Sequence, residues 1–97
     1  MSITFTSPDA PTTLEVNLSN SNALMALAGL GVTDPDYGGS IKAVDVLERA
    51  FEASQAARWG HPLDPVVAFN MGRLTALAAS VAYAENADVD AAIINWS

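Results

Sequence analysis

Cysteine is absent from the 97-residue sequence. That excludes disulfides, thiolate nucleophiles and cysteine-held metals together. Positive charge is scarce: 4 Lys and Arg stand against 11 Asp and Glu, for a formal net charge of −7. Such a chain repels polyanions, so direct binding to nucleic acid or to an anionic membrane is not expected. There is one histidine, His61, so any imidazole acid, base or metal ligand must be that residue. Long apolar runs are missing as well. The longest uncharged run, 16–33, is dominated in its first half by Ser and Asn. A spanning helix needs about 20 mostly apolar residues, so no transmembrane segment is expected. The opening MSITFTSPDA has neither the basic patch nor the apolar stretch of a signal peptide. With the lack of cysteine, this points to a cytoplasmic setting.

What is present is apolar. Hydrophobic residues make up 51% and charged residues 15%, against about 25% charged in an ordinary soluble domain. The length fits a single domain, 1–97, with one core. The apolar excess suggests a surface shared with a partner or with a second copy, although much of it is alanine.

Two stretches alternate with period two. Ile3 and Phe5 stand between Ser2, Thr4 and Thr6; Leu14, Val16 and Leu18 alternate with Glu15 and Asn17. Both read as strands, joined as a hairpin through the turn-forming SPDAP of 7–11. A helix over Ser21–Leu30 follows, stopped by Gly29 and Gly31. Ser40 suits the N-cap of a second helix over Ile41–Arg58, with Ile41, Val44, Leu47 and Phe51 as its core stripe. Asp64-Pro65 is the strongest helix start in the chain. The third helix carries its main stripe on Val67, Met71, Leu74, Leu77 (or Ala78) and Val81 and ends near Glu85 or Asn86. Val66, Phe69 and Tyr83 lie off that stripe, and a helix apolar over so much of its circumference is central or shared with a partner. Ile93, Ile94 and Trp96 read as a last strand. The expected fold is α+β in the order β-β-α-α-α-β: a small antiparallel sheet, two N-terminal strands plus the C-terminal one, packed against three helices.

No catalytic constellation is visible, and the chain reads as non-enzymatic. No Ser sits in a nucleophile elbow. His61 and Asp64 could form an oriented imidazole, but Asp64 already has a helix to cap; with Tyr37 and Asn20 they are the residues of an alternative reading as a ligand-binding domain or small enzyme. Asp34-Pro35-Asp36 before Tyr37-Gly38-Gly39 matches neither an EF-hand nor a phosphate loop. No metal or cofactor is expected. The candidates for partner binding are Asp45, Glu48 and Glu52, which share a helix face, with Asp34, Asp36, Tyr37 and Trp96, the last as an aromatic anchor if the tail is exposed.

The string NLSNSNALMALAGLG…DYGGSI, with the closing Trp, resembles small uncharacterised bacterial and phage proteins of layout N-x-S-N-x-N-A, L-G, G-x-I. The residues that carry it are Asn17, Ser19, Asn20, Asn22, Ala23, Leu30, Gly39, Ile41 and Trp96. The resemblance implies a bacterial or phage setting and no particular activity. The leading expectation is an acidic interaction module, in concrete form an inhibitor docking on a basic surface of a host nuclease or nucleic-acid-binding complex. The alternative is an assembly protein that acts through homo-oligomerisation. The Asn17–Asn22 cluster reads as a strand-to-helix junction with more capping groups than one helix end can use.

Overall fold

Alternation of apolar and polar residues builds a one-sided sheet. The computed structural model describes residues 1–8, 15–33, 35–60, 62–83 and 88–97. Its elements are β1 Ser2–Thr6, β2 Glu15–Ser19, α1 Asn20–Gly29, β3 Gly39–Lys42, α2 Ala43–Arg58, α3 Pro65–Ala82 and β4 Ile93–Trp96. The strands form one antiparallel sheet in the order β2-β1-β4-β3. Ile3, Phe5, Val16, Leu18, Ile94 and Trp96 point to the helices and are buried. The other face is mostly polar: Asn17 donates to Thr4 Oγ1 at 2.8 Å and to Ser2 Oγ at 3.2 Å across the β1–β2 pair. The architecture is α+β, as the patterning requires.

The sheet has a fourth strand where the helix start at Ser40 was expected. Ile41 pairs with Ile94, and Ser40 with Asn95. β4 offers Gly39–Lys42 a row of backbone partners, and extension turns Ile41 toward the core side. α2 therefore begins at Ala43. It has no side-chain cap, and the Ala43 N–H is satisfied by Ala92 O at 2.9 Å.

Each of the other helices is bounded by identifiable chemistry. Ser19 Oγ accepts from Asn22 N at 3.3 Å at the start of α1. At its end Gly31 adopts φ +79°, while Val32 N donates to Leu27 O and Gly31 N to Ala28 O. That bonding pair is a Schellman closure, for which glycine carries no Cβ penalty. Asp64 Oδ1 accepts from Val66 N at 2.9 Å and Val67 N at 3.3 Å, with Pro65 at the first helical position of α3. This helix ends at Ala82, with Tyr83 as C-cap donating its N–H to Ala79 O at 3.0 Å, before the end expected near Glu85 or Asn86. Those two positions lie outside the described residues, as does the SPDAP turn from residue 9 onward with Leu14.

α3 is the central helix. Val67, Met71, Leu74, Leu77, Ala78 and Val81 are buried as the spacing requires, and α3 packs on both α1 and α2. By length and composition alone α3 could also cross a membrane; 44% of that window is buried within the fold. Arg73 interrupts it, which is why the longest uncharged run falls elsewhere. α1 approaches α3 at Gly29, where an added Cβ would lie 2.6 Å from Met71 Sδ.

α2 departs from expectation in its inward face. Phe51 is 65% exposed, and the fully buried positions are Ala43 and Val46. Leu47, Ala50 and Ala53 pack against the core from the same side. These positions repeat at helical spacing, and small alanines let α2 lie close to α3, which leaves Phe51 on the outside. Alanine carries too little hydropathy to reveal such a stripe beside a phenylalanine.

Candidate functional site

The three acids of α2 fall on one wall of a groove. Asp45, Glu48 and Glu52 are at positions i, i+3 and i+7, one stripe of a helix. With Arg49 and Ala56 they line an open cavity of about 630 Å³ whose other wall is Gly29, Leu30 and Gly31. Asp45 is half-buried, while Glu48 and Glu52 are exposed. The second wall is the C-terminus of α1, where the helix dipole places partial negative charge. One cation is already in place: Arg49 donates through Nη1 to Leu30 O at 3.2 Å. Arg49 thus reaches across to α1, rather than closing the Asp45–Arg49 pair that the i, i+4 spacing offers. The groove presents carboxylate oxygens and helix-end carbonyls, chemistry suited to a guanidinium or ammonium group and hostile to anions.

The remaining candidates are not gathered there. Tyr37, 63% exposed, lines a separate recess of about 470 Å³ with Met1, Ser2, Ile3, Asn20 and Ser97. Asp36 is exposed, and its backbone carbonyl accepts from Trp96 Nε1 at 3.0 Å. Asp34 and His61 lie outside the described residues. Asp64 is engaged in capping α3. Among the described residues no group of three or more His, Asp or Glu side chains is arranged to hold a metal ion.

Trp96 must be withdrawn from the docking set. It is 7% exposed, stands in register with Phe5 on one side and Gly39 on the other, and has its ring centroid 6.0 Å from that of Phe5. β4 is an inner strand of the sheet, so its inward-facing Trp96 is core. The indole N–H ties the 35–38 segment to the sheet.

Two side chains of the Asn17–Asn22 cluster, those of Asn17 and Ser19, have structural tasks, and Asn20 contributes its backbone N–H. Asn17 cross-links β1 and β2, Ser19 caps α1, and Asn20 N donates to Met1 O at 3.3 Å.

Several large apolar side chains are exposed instead. Trp59 is 78% exposed, Tyr83 74%, Phe69 68% and Val66 56%. The off-stripe positions of Val66, Phe69 and Tyr83 marked those three in the sequence. Phe51 and Trp59 carried no such mark. Comparison of the chain with protein-family models, with curated proteins and with solved structures finds no match.

Proposed function

We propose that this chain is a non-enzymatic protein-interaction module that presents the acidic wall of α2 to a basic surface on another macromolecule. The observation that carries the reading is the convergence of Asp45, Glu48, Glu52 and the α1 C-terminus on one groove. The net charge of −7 supports it: excess charge of one sign steers an oppositely charged partner and speeds encounter.

In the bacterial or phage-infected cytoplasm that the sequence resemblance implies, surfaces dense in Lys and Arg belong to proteins that hold phosphates. The concrete form of the proposal is an inhibitor that occupies such a groove on a nuclease or nucleic-acid-binding complex. The test compares proteins captured from host lysate by the wild-type chain and by the Glu48→Lys/Glu52→Lys variant, at low and high salt. A nucleic-acid-binding protein held by the wild type, released by salt and lost in the variant is the expected result. Identical capture by both chains overturns the reading.

A further inference from the structure

α3 carries a second seam that its core packing does not use. Val66, Phe69, Arg73, Ala76, Ser80 and Tyr83 recur at 3-4-3-4-3 spacing, the rhythm of a coiled-coil contact line. All six are exposed. The helix is 18 residues long, so the seam runs for about 27 Å. Beside it, between α3 and the edge strand β2, lies a hollow of about 320 Å³ floored by Val16, Ala76, Leu77 and Ser80 and flanked by Glu15 and Arg73.

We propose that two copies of this chain associate along this seam, antiparallel about a two-fold axis, with Phe69 of each copy seated in the hollow of the other. The register that sets Val66 against Tyr83 of the second copy also sets Phe69 against Ser80 and Arg73 against Ala76. Phe69 and Arg73 thus each face a small residue, and the two-fold repeats both fits. A knob and the hole that accepts it are present on one chain.

Charge selects the same occupant. α3 contains no Asp or Glu, so two copies of a chain with net charge −7 bring no acid from this helix to the contact; the acid beside it is Glu15 at the rim of the hollow. Arg73, laid over Ala76 of the second copy, comes beside Glu15 of that copy's hollow, and the pair occurs twice. Area agrees with a modest dimer. Phe69 and Tyr83 are 68% and 74% exposed, on the order of 300 Å² of open ring surface per copy. With Val66, Arg73 and the β2 rim the contact reaches roughly 500–600 Å² per copy, the low end for specific association. The acidic groove of α2 shares no residue with the seam, so the dimer leaves both grooves open, and this inference stands apart from the function proposed above.

Sedimentation equilibrium of the whole chain from about 5 µM to 1 mM tests it. The expected result is a monomer–dimer equilibrium that Phe69→Glu and Ser80→Arg each weaken at least tenfold, with thermal melting of the dilute monomer unchanged because both positions are exposed. Since the chain has no cysteine, the register is read directly. An oxidised mixture of the Arg73→Cys and Ala76→Cys chains should favour the mixed disulfide over either homodimer. A chain that stays monomeric to about 1 mM overturns the proposal, as does a dimer indifferent to both substitutions. Binding to phosphatidylcholine vesicles that Phe69→Glu abolishes, without any dimer in solution, assigns the seam to lipid and overturns it too.

Discussion

Trp96 lies over Gly39 so closely that a Cβ on the glycine would stand 2.6 Å from Cζ2 of the indole. The two residues are cross-strand partners in β4 and β3. Gly39→Ala must therefore displace a ring also held by its bond to Asp36 O and its contact with Phe5. A loss of about 1–3 kcal/mol in urea unfolding is expected, the usual cost of overpacking. Trp96→Phe, which keeps a ring and drops the N–H, should cost less than Trp96→Ala, which also empties the space. Equal losses would contradict the geometry.

Two glycines of the helical layer should respond with opposite sign. Gly72 is in the middle of α3 with nothing within 4 Å of an added Cβ. Gly72→Ala should raise stability by about 0.5–1 kcal/mol through helix propensity alone. Gly29→Ala meets Met71 Sδ at 2.6 Å and Val67 Cγ1 at 3.3 Å. Met71 is flexible enough to give way in part, so a net loss of about 1 kcal/mol is expected. Thermal melts of the two variants, run side by side, check the sign.

Asp64→Ala removes the acceptor of two N–H groups at the start of α3. Loss of such a cap costs about 0.5–2 kcal/mol. Asp64→Ser or Asp64→Asn should restore most of it, since either side chain can accept the same bonds; chemical denaturation of the three variants decides.

Phe51 and Leu74 look alike in hydropathy and should behave differently. Phe51 is 65% exposed, whereas Leu74 is 2% exposed. Phe51→Ser is expected within about 0.5 kcal/mol of the wild type, and Leu74→Ala to lose about 2–5 kcal/mol. A large loss at Phe51 would return it to the core and displace the alanine face of α2.

Where backbone chemistry is local, the sequence was readable. Asp64-Pro65 names its helix start because the cap and the missing N–H act within one turn. The β1–β2 pair follows from Ile3, Phe5, Val16 and Leu18, since period two states which face is buried. The main stripe of α3 is equally explicit. Non-local partners hid the rest. Nothing near Ser40 says that β4, some fifty positions later, will hold Gly39–Lys42 extended. The alanine face of α2 depends on how near α3 lies, and Phe51 masks it. Trp96 looked like an anchor because its burial depends on Phe5 and Gly39, both distant in sequence. In the candidate site, the shared face of Asp45, Glu48 and Glu52 was legible from spacing; the opposing α1 terminus, which makes a groove of it, was not.

The strand order also dictates when the molecule can assemble. β4 is the last element in sequence yet sits between β1 and β3, and Thr4 exchanges backbone bonds with Ser97. β1 and β2 can close early as a hairpin, and the helices can form in turn. β3 has no strand to pair with until residues 93–96 arrive. Closure of that long loop costs entropy before any contact repays it. Folding should therefore commit late and in one step, with Ile94 and Trp96 among the last side chains to find their places.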